Sequence, residues 1–459
     1  MFSTLSEFHD WFTERRRAND YRVERVPLDR LDGWSFEEAT GNLAHRSGRF
    51  FSVQGLDVRD SGREVDSWRQ PIIVQPEHGI LGMLVKEFDG VPHCLLQAKM
   101  EPGNVNLVQL SPTVQATWSN YTGVHGGKPV PYLEHFVAPR GGRILSDALQ
   151  SEQASWFLAK RNRNMIVWTD EDVPVREDFC WLSVDQLAAL LRLDNLVNMD
   201  SRTVLSGAAM LRPAAPSAPA DSFDDALARS VRPDSPALHD TAELLSWFTE
   251  AKGRCTLTRR LVPLREVLGW AHSDGVIGHV DGRHFTVLGV DVRASNREVG
   301  GWSQPMFAPC GQGVVAFLAR RVEGVLHLLV QARIETGALD RIEMAPTVQC
   351  QPGNYRPPFP ADRRPRFLDE VLGAPPERIR FAAVHSEEGG RFYHAQNRYL
   401  VVEVGDDFPL DVPPDFAWLT VAQLVDFVRF GSHLNVEARS LLTFLTFFHS
   451  EADRLTPVS

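Results

Sequence analysis

One segment of this chain occurs twice, and the repeat constrains the fold more than any other feature of the sequence. The first copy covers residues 91–121 and the second covers residues 325–355. The two copies align without a gap, so that Gln97 matches Gln331 and Tyr121 matches Tyr355. A duplication of this length predicts two homologous structural units, and a prediction made for one copy can be checked in the other.

The repeated segment begins with a strand in which polar and apolar residues alternate. Alternation with a period of two places successive side chains on opposite faces of a sheet. The apolar face of the first copy, with Leu96, Ala98 and Met100, is predicted to join the core. The polar face ends, in the two copies, in Gln97, Lys99 and Glu101, and in Gln331, Arg333 and Glu335. The strand that follows adds Gln115 and Gln349.

This polar face has two interpretations. Alternation of this kind is usual for a sheet with one face in water. Contact with solvent, however, does not require a Gln, a cation and a Glu in the same order in both copies. We therefore interpret the face as a wall that contacts a ligand.

Length, charge and cysteine usage limit the classes of function. The 459 residues are enough for two domains of about 200 residues each. The net charge of −11 argues against a nucleic acid or an anionic membrane as the main partner, whereas a few local cations suffice for a small anionic ligand. Five scattered cysteines without a C-x-x-C pair suit a reducing cytoplasm. We also expect no signal peptide and no membrane span.

The order of the predicted elements indicates an α+β fold. Each half begins with a helix after a capping box, at Thr4 and at Asp240, continues with a mixed sheet, and ends with helices. We predict a first repeat over residues 1–211, a Pro/Ala-rich linker over residues 212–238 and a second repeat over residues 239–459. The linker should be extended and exposed.

Common metal and cofactor motifs are missing from the sequence. The R-E-V at Arg63 resembles the end of a Nudix box, but Asp66 and Ser67 follow it, and the upstream Glu position falls on Gly55. Without clustered carboxylates, the sequence does not support a Mg²⁺ site. No G-x-G-x-x-G links a strand to a helix, and no G-x-S-x-G elbow is present. We therefore expect no metal and no cofactor.

Several further residues recur in both halves, and each also has a purely structural explanation. Trp68 and Trp302 could stack on a base, although such residues are more often core anchors. Arg398 could hold a diphosphate or be a surface cation, and Asn354 could bind a base or shape a turn. Their duplication is the stronger evidence. The predicted ligand-binding residues are Trp68, Gln97, Gln115, Asn120, Ser151, Glu152, Gln153, Trp302, Gln331, Arg333, Glu335, Gln349, Asn354, Tyr355, Ser386, Glu387, Glu388, Asn397 and Arg398.

Three long motifs carry a resemblance to a known family. They are Q-A-K-M-E-P-G-N-V-N-L-V-Q-L-S-P-T-V-Q-A-T from Gln97, N-Y-x-x-V-H-G-G from Asn120 and S-E-E-G-G-R-F-Y-H-A-Q-N-R-Y from Ser386. In collinear order over nearly the whole chain, they resemble the NDP-hexose 2,3-dehydratases of deoxysugar biosynthesis. The resemblance implies a dTDP-4-keto-6-deoxyglucose substrate, two tandem Nudix-like domains that lack the Nudix box, a homodimer, and a product that passes to a 3-ketoreductase and feeds antibiotic glycosylation.

The reaction implied by this resemblance needs acid and base groups rather than a redox cofactor. The 4-keto group acidifies the hydrogen on carbon 3, so that a base can form an enolate from which the carbon 2 hydroxyl departs. The catalytic candidates are Glu101 as base, Lys99 as donor to the enolate oxygen and Tyr121 as donor to the leaving hydroxyl. General acid or base catalysis contributes about 10² to 10⁴-fold. A nucleotide-sugar-binding protein without activity and a nucleotide-sugar hydrolase are the alternatives.

The two halves differ in sequence, and we expect the chemistry to reside in the first. Arg333 cannot release its proton at any working pH, whereas the matching Lys99 can be tuned to act as acid or base. Only the first half carries a His-Gly-Gly-Lys loop, at residues 125–128. Against this preference, residues 391–398 are richer in polar groups than residues 156–163.

Overall fold

A computed structural model describes residues 1–60, 67–118, 129–137, 142–208, 211, 221–297, 299–356, 359–360 and 363–447. Within these residues the fold is a mixed α+β arrangement whose sheets lie in two halves, as the repeat predicts. None of the helices in this part of the chain is long and apolar enough to cross a membrane.

The first half begins with the helix Leu5–Ala18 and ends with the helix Met199–Leu205. Its other helices are Glu134–Val137 and Val184–Leu190, and a 3₁₀ turn covers Leu28–Arg30. Its strands are β1 (Tyr21–Val26), β2 (Trp34–Phe36), β3 (Leu43–His45), β4 (Ser52–Arg59), β5 (Ser67–Val74), β6 (Gly79–Phe88), β7 (Val91–Met100), β8 (Val108–Ser111), β9 (Val114–Ala116), β10 (Gly142–Ser151), β11 (Arg161–Thr169) and β12 (Phe179–Ser183).

The second half repeats this order after the helix Phe223–Ser230. Its helices are Thr241–Arg254, Leu368–Leu372, Val421–Val428 and Val436–Thr446, with 3₁₀ turns at Leu264–Glu266, Pro352–Tyr355 and Pro376–Arg378. Its strands are β13 (Thr258–Val262), β14 (Trp270–Ser273), β15 (Val276–His279), β16 (Phe285–Ala294), β17 (Gly301–Pro309), β18 (Gly313–Val322), β19 (Val325–Ile334), β20 (Ile342–Pro346), β21 (Val348–Cys350), β22 (Ile379–Ser386), β23 (Gln396–Glu403) and β24 (Phe416–Thr420).

Several helices and hairpins begin or turn at the residues that the local sequence predicts. Asp240 and Glu243 form the predicted capping box, in which each side chain accepts a hydrogen bond from the other residue's backbone N–H. β6 and β7 form the predicted hairpin, and its turn residues Asp89 and Gly90 have φ values of 50° and 80°. A type I′ turn requires positive φ at both positions. The hairpin of β18 and β19 has the same kind of turn.

In the described residues, the strands form two seven-stranded and two five-stranded sheets. The seven-stranded sheet of the first half has the order β10-β11-β6-β7-β12, with β8 on β7 and β9 on β6. The second half repeats it with β22-β23-β18-β19, to which β20, β21 and β24 are added. The repeated strands β7 and β19 therefore lie inside these sheets, where their polar faces can line a cavity.

The five-stranded sheets exchange strands between the halves. β1 of the first half pairs antiparallel with β16 of the second, from Tyr21 opposite Ala294 to Val26 opposite Gly289. β13 of the second half pairs in the same way with β4 of the first. Because each half completes a sheet of the other, the two halves are interlocked rather than joined only by a linker.

Part of the predicted linker is a buried helix, so the expectation of an extended, exposed segment over residues 212–238 is wrong in this region. The helix Phe223–Ser230 packs on the second half, where the Ser230 hydroxyl donates to the Leu326 carbonyl oxygen at 2.5 Å. Its buried apolar side chains are Phe223, Ala226 and Leu227. Their three- and four-residue spacing places these side chains on one face of the helix. In the sequence, the Pro/Ala-rich composition of the preceding residues 212–220 obscures this pattern. Those preceding residues lie outside the described part of the chain.

Two fully buried arginines hold the halves together behind the sheets. Arg202, in the helix Met199–Leu205, donates to the Ser386 carbonyl oxygen at 2.9 Å. Arg439, in the matching helix Val436–Thr446, donates to the Ser151 carbonyl oxygen at 2.5 Å. Each guanidinium thus fixes the end of a strand in the opposite half, next to the segments that line the cavities described below.

Candidate functional site

Two cavities lie between the halves, among the residues that the structure describes. The first cavity has a volume of about 510 Å³. Lys99 and Glu101 from the wall of the first half line it together with Trp302, Glu388 and Arg391 from the second half. Both cavities fall in the size range of small-molecule sites, about 300 to 1,000 Å³.

The second cavity has a volume of about 560 Å³ and the reverse composition. Its wall comes from the second half, with Arg333 and Glu335, and the first half contributes Trp68, Gln153 and Trp156. Each cavity is therefore composite. A molecule bound in either one would contact residues from both copies of the repeat.

The two tryptophans are fixed by matching hydrogen bonds. The indole N–H of Trp302 donates to the Gln304 side chain at 2.9 Å, and Gln304 donates in turn to the Gly390 carbonyl oxygen. Trp68 and Gln70 repeat the first of these bonds, also at 2.9 Å. The sequence suggests that each Trp stands beside the wall of its own half. In the structure, each lines the cavity whose wall belongs to the other half.

Amide side chains hold the carboxylate of Glu101 on the wall of the first cavity. Gln115 donates to its Oε1 at 2.5 Å, and Asn104 and Asn198 each approach its Oε2 at 3.4 Å. The Lys99 ammonium group donates to the backbone carbonyl oxygen of Gln115 at 2.9 Å. A single residue, Gln115, therefore positions both the carboxylate and the ammonium group.

The segments that follow β10 and β22 pass each other between the two cavities. Glu152 lines the first cavity and Gln153 the second, whereas Glu387 lines the second and Glu388 the first. The Gln153 amide donates to the Glu387 carboxylate where the segments meet. The alternating directions of consecutive side chains thus supply each cavity with one residue from each segment.

Burial changes the protonation of the acidic groups in the first cavity. It raises the pKa of Glu388 to about 8, and the nearby charges of Glu101 and Glu152 act in the same direction. Burial also raises the pKa of Glu152, and raises that of Asp200 well above its usual value. The pKa of Lys160 is lowered by its burial. Glu388, with a pKa of about 8, is therefore suited to proton transfer near neutral pH.

The wall of the second cavity holds its charges in an ion pair. The Arg333 guanidinium lies 2.9 Å from the Glu335 carboxylate, which also accepts a hydrogen bond from Gln349 at 3.3 Å. Glu387 accepts hydrogen bonds from Asn397 and from Tyr399, each at 2.7 Å, while burial raises its pKa. Additional lining side chains of this cavity are Asn354, Tyr355 and Glu437.

The two cavities have diverged at matching positions. Glu388 in the first cavity corresponds to Gln153 in the second, and Lys99 corresponds to Arg333. Lys160 and Arg391 likewise correspond to Ala395 and Trp156. The first cavity is therefore richer in ionisable side chains. No three His, Cys, Asp or Glu side chains of the described residues are arranged to hold a metal ion.

Comparison with known proteins relates this arrangement to an activity. The family model of the NDP-hexose 2,3-dehydratases matches residues 5–208 and 241–445. The chain belongs to this family. A dTDP-4-dehydro-6-deoxy-alpha-D-glucopyranose 2,3-dehydratase of Streptomyces violaceoruber is 55% identical over 95% of this chain and 95% of its own length. Proteins of the same name from Saccharopolyspora spinosa and Amycolatopsis orientalis are 51% and 52% identical, over 96% and 94% of this chain and 91% and 88% of their own lengths.

The structure brings most of the predicted site residues of this family member into the two cavities. The first cavity is lined by Lys99, Glu101, Gln115, Glu152, Trp302 and Glu388, and the second by Trp68, Gln153, Arg333, Glu335, Gln349, Asn354, Tyr355, Glu387 and Asn397. Ser151 and Ser386 are buried beside them and bond to the Glu343 and Asn195 side chains. Asn120 and Tyr121 lie outside the described residues.

Besides Ser151 and Ser386, three predicted residues of the described part of the chain line neither cavity. Gln97 and Gln331 lie one pleat before the wall cations, about 7 Å further along the strand, and Gln331 donates to Asp415 at 3.3 Å. Arg398 is exposed on β23. Alternation assigns all these residues to polar positions, but it does not show where along the strand a cavity ends.

Other residues of the site are not indicated by the sequence of this dehydratase family member. Asp200, Lys160 and Arg391 line the first cavity but belong to segments whose sequence shows no polar alternation. The sequence does carry a signal for Asn162, which donates to Glu152 at 2.6 Å. Its counterpart Asn397 is among the predicted residues, so comparison of the two copies points to Asn162.

Proposed function

We propose that this chain removes water from a dTDP-4-dehydro-6-deoxy-glucose by breaking the bond between carbon 2 and its hydroxyl. The observation that carries this proposal is the 55% identity, over 95% of the chain, with a relative named for that activity. The first cavity supports it independently, because it combines a carboxyl group suited to proton transfer, Glu388, with cations suited to a diphosphate.

The nucleotide would be held by the cations and the aromatic ring that the second half contributes. Arg297 and Arg391 line the first cavity from the second half, and Lys160 of the first half adds a further cation. Arginine guanidinium groups match the geometry of phosphate oxygens and can donate two parallel hydrogen bonds. The guanidinium of Arg297 lies 5.7 Å from the centre of the Trp302 ring, so a base stacked on that ring would place its diphosphate near these cations.

The chemistry would take place at the wall of the first half. The Glu101 carboxylate takes the proton from carbon 3, and the electron pair left behind forms an enolate with its charge on the carbon 4 oxygen. The Lys99 ammonium group stabilises that oxygen, because a fixed cation favours the charge that develops there. Gln115 bonds to both groups and keeps their spacing constant, which reduces the entropy that must be lost before reaction.

The second cavity would bind a sugar nucleotide without transforming it. Its wall cation and carboxylate, Arg333 and Glu335, neutralise each other in an ion pair of 2.9 Å. An arginine also does not release its proton at working pH. This wall therefore lacks an independent base and an independent proton donor at the positions where the first cavity has Lys99 and Glu101.

The finer features of the proposal rest on the family resemblance and on the chemistry of the product. We propose a Nudix-like fold for the sheets of each half, without the Nudix box, and a homodimer that acts in the cytoplasm. The 3,4-diketo product carries a new ketone at carbon 3, which a 3-ketoreductase would consume. The mass of the protein in solution tests the homodimer. Reduction of the product by an added 3-ketoreductase tests the proposed next step.

Mass spectrometry after incubation with the 4-keto sugar nucleotide tests the activity. Loss of one water is expected, whereas cleavage of the diphosphate would indicate a hydrolase. Unchanged substrate that nevertheless binds in calorimetry would indicate a binding protein. Because the sequence shows no clustered carboxylates for a metal, EDTA should leave the rate of water loss unchanged. If EDTA abolished turnover and Mg²⁺ restored it, the proposed mechanism would be wrong.

A further inference from the structure

Glu388 reaches the first cavity from the second half, and the proposed base Glu101 lines the same cavity from the first half. The segment that carries it is attached to the turn after Glu101, because the Gly103 N–H donates to the Gly389 carbonyl oxygen at 2.7 Å. A Cβ atom on Gly389 would lie only 2.9 Å from the Cβ atom of Glu101. The backbones that carry the two carboxyl groups therefore pack directly against each other, and both side chains line the same cavity.

The two carboxyl groups have different environments. Glu101 accepts hydrogen bonds from side-chain amides on both of its oxygens. Glu388 accepts one, on Oε1, from the Gly390 N–H at 3.0 Å. Its Oε2 is inaccessible to solvent and has no hydrogen-bond partner among the residues that the structure describes. Burial and the negative charge of Glu101 raise the pKa of Glu388 to about 8, so this carboxyl group retains its proton at neutral pH.

A pair of carboxyl groups in contrasting environments separates the roles of base and acid. We propose that Glu388 is the general acid that protonates the departing carbon 2 hydroxyl. This inference rests on the proposed dehydratase function and deepens it. From the sequence, the predicted proton donor is Tyr121, which lies outside the described residues, and Glu388 is predicted only as a substrate-binding residue.

The proton transfers balance with these two groups. Glu101 takes the carbon 3 proton. As the enolate collapses, the bond between carbon 2 and oxygen breaks, a double bond forms between carbons 2 and 3, and the Glu388 proton leaves with the hydroxyl as water. The resulting enol then gains a proton on carbon 2 from Glu101 and gives its 3-hydroxyl proton to the Glu388 carboxylate. Both groups return to their starting states, and the net change is the loss of one water.

The divergence of the cavities agrees with this role. The position of Glu388 is taken in the second cavity by Gln153, whose amide cannot act as a general acid. Glu152 and Asp200, the other carboxyl groups of the first cavity with raised pKa values, have carboxylate counterparts in Glu387 and Glu437 of the second cavity. Glu388 is thus the acidic residue of this pair of segments that distinguishes the first cavity from the second.

The experiment compares two leaving groups in the Glu388→Gln variant. Gln keeps the acceptor for the Gly390 N–H but cannot donate a catalytic proton. With the natural 4-keto sugar nucleotide, we expect release of water to fall by about 10²-fold or more. With a 2-deoxy-2-fluoro analogue, fluoride needs no full protonation to depart, and its release should remain within a few-fold of wild type. The basic limb of the wild-type pH–rate profile, near pH 8, should also disappear.

A second readout separates the acid from the base. In D₂O, the Glu388→Gln variant should still exchange the carbon 3 hydrogen of the substrate, because that step uses Glu101. An equal fall in water and fluoride release would overturn the proposal, as would undiminished water release. Loss of the basic limb in Glu152→Gln instead would assign the role to Glu152 and also overturn it. If the wild-type protein released no water at all, the proposed function itself would fail.

Discussion

Equivalent glutamates have different neighbours in the two cavities, and this difference gives a test at the scale of single residues. Glu101 is held by amides, whereas Glu335 is paired with Arg333 at 2.9 Å. We expect Glu101→Gln to lower turnover by about 10²-fold or more, because the proposed base is lost. Glu335→Gln should keep most of the activity and change binding in the second cavity. Steady-state kinetics on both variants provides the measurement.

The two variants control for each other, because they make the same change at matching positions of the repeat. Circular dichroism and thermal unfolding should show that both are folded before assay. The reverse pattern of activities would assign the chemistry to the second cavity. A similar loss in both would indicate that the cavities act together.

The wall residues could be predicted from the sequence because a strand has a fixed period. To predict that Lys99 and Glu101 lie in this order on one face, only the alternation of the strand and a second copy for comparison are needed. Glu388 could be identified as a candidate but not assigned to a cavity. Consecutive residues of its segment point into different cavities, and that arrangement depends on how the two segments pass each other in three dimensions.

At the scale of elements, the exchange of strands depends on a glycine at each crossing. A Cβ atom on Gly55 would lie 2.9 Å from the Val262 carbonyl oxygen of β13, and one on Gly289 would lie 2.6 Å from the Val26 carbonyl oxygen of β1. We expect Gly55→Ala and Gly289→Ala each to lower the free energy of unfolding by about 1 to 3 kcal/mol, as overpacking does in cores. Urea unfolding measures the change.

A neighbouring glycine provides the control for these substitutions. At Gly278 in β15, a Cβ atom would meet nothing closer than the Thr286 methyl group at 3.4 Å. Gly278→Ala should be neutral or slightly stabilising, because alanine restricts the unfolded chain. If all three variants unfolded alike, the close approach of the exchanged strands would not explain the glycines.

The strands and hairpins could be predicted from the sequence, but their exchange could not. Alternation in β1 and β4 determines which side chains face the core, and turn residues determine local hairpins. Neither signal identifies the pairing partner of the first strand in a half. The pairing of β1 with β16 follows from the packing of the whole chain, so a duplicated sequence is compatible with both separate and interlocked halves.

At the scale of the whole molecule, buried carboxyl groups should make stability depend on pH. Burial raises the pKa of Glu343 and of Glu388 to about 8 each, and raises the pKa of Glu152, Asp200 and Glu437 as well. A raised pKa means that the folded state binds protons that the unfolded state releases. Stability should therefore fall as pH rises from about 4.5, the unfolded value, to about 8.

Differential scanning calorimetry across this range measures the effect, and one variant identifies a contributor. Glu343 is buried and accepts a hydrogen bond from Ser151 at 2.9 Å. Glu343→Gln removes the ionisable group but keeps an acceptor, so its Tm should decline less steeply with pH than that of wild type. Glu377→Gln, at an exposed position, should follow wild type. A Tm that rises from pH 5 to pH 8 would contradict the prediction.

The composite construction of the cavities leads to a final prediction about the whole molecule. Trp302 belongs to the second half but lines the cavity whose wall carries Glu101, and Trp68 shows the opposite arrangement. If a base or sugar face stacks on these rings, replacing either by Ala should weaken binding in its own cavity by about 1 to 3 kcal/mol. Trp302→Ala should then lower kcat/KM, although it lies in the half without the proposed base. Trp68→Ala should leave kcat/KM near wild type and weaken one of two sites in calorimetry.

A fall in kcat/KM for Trp68→Ala alone would place turnover in the second cavity. Unchanged binding in both folded variants would make the two residues core anchors.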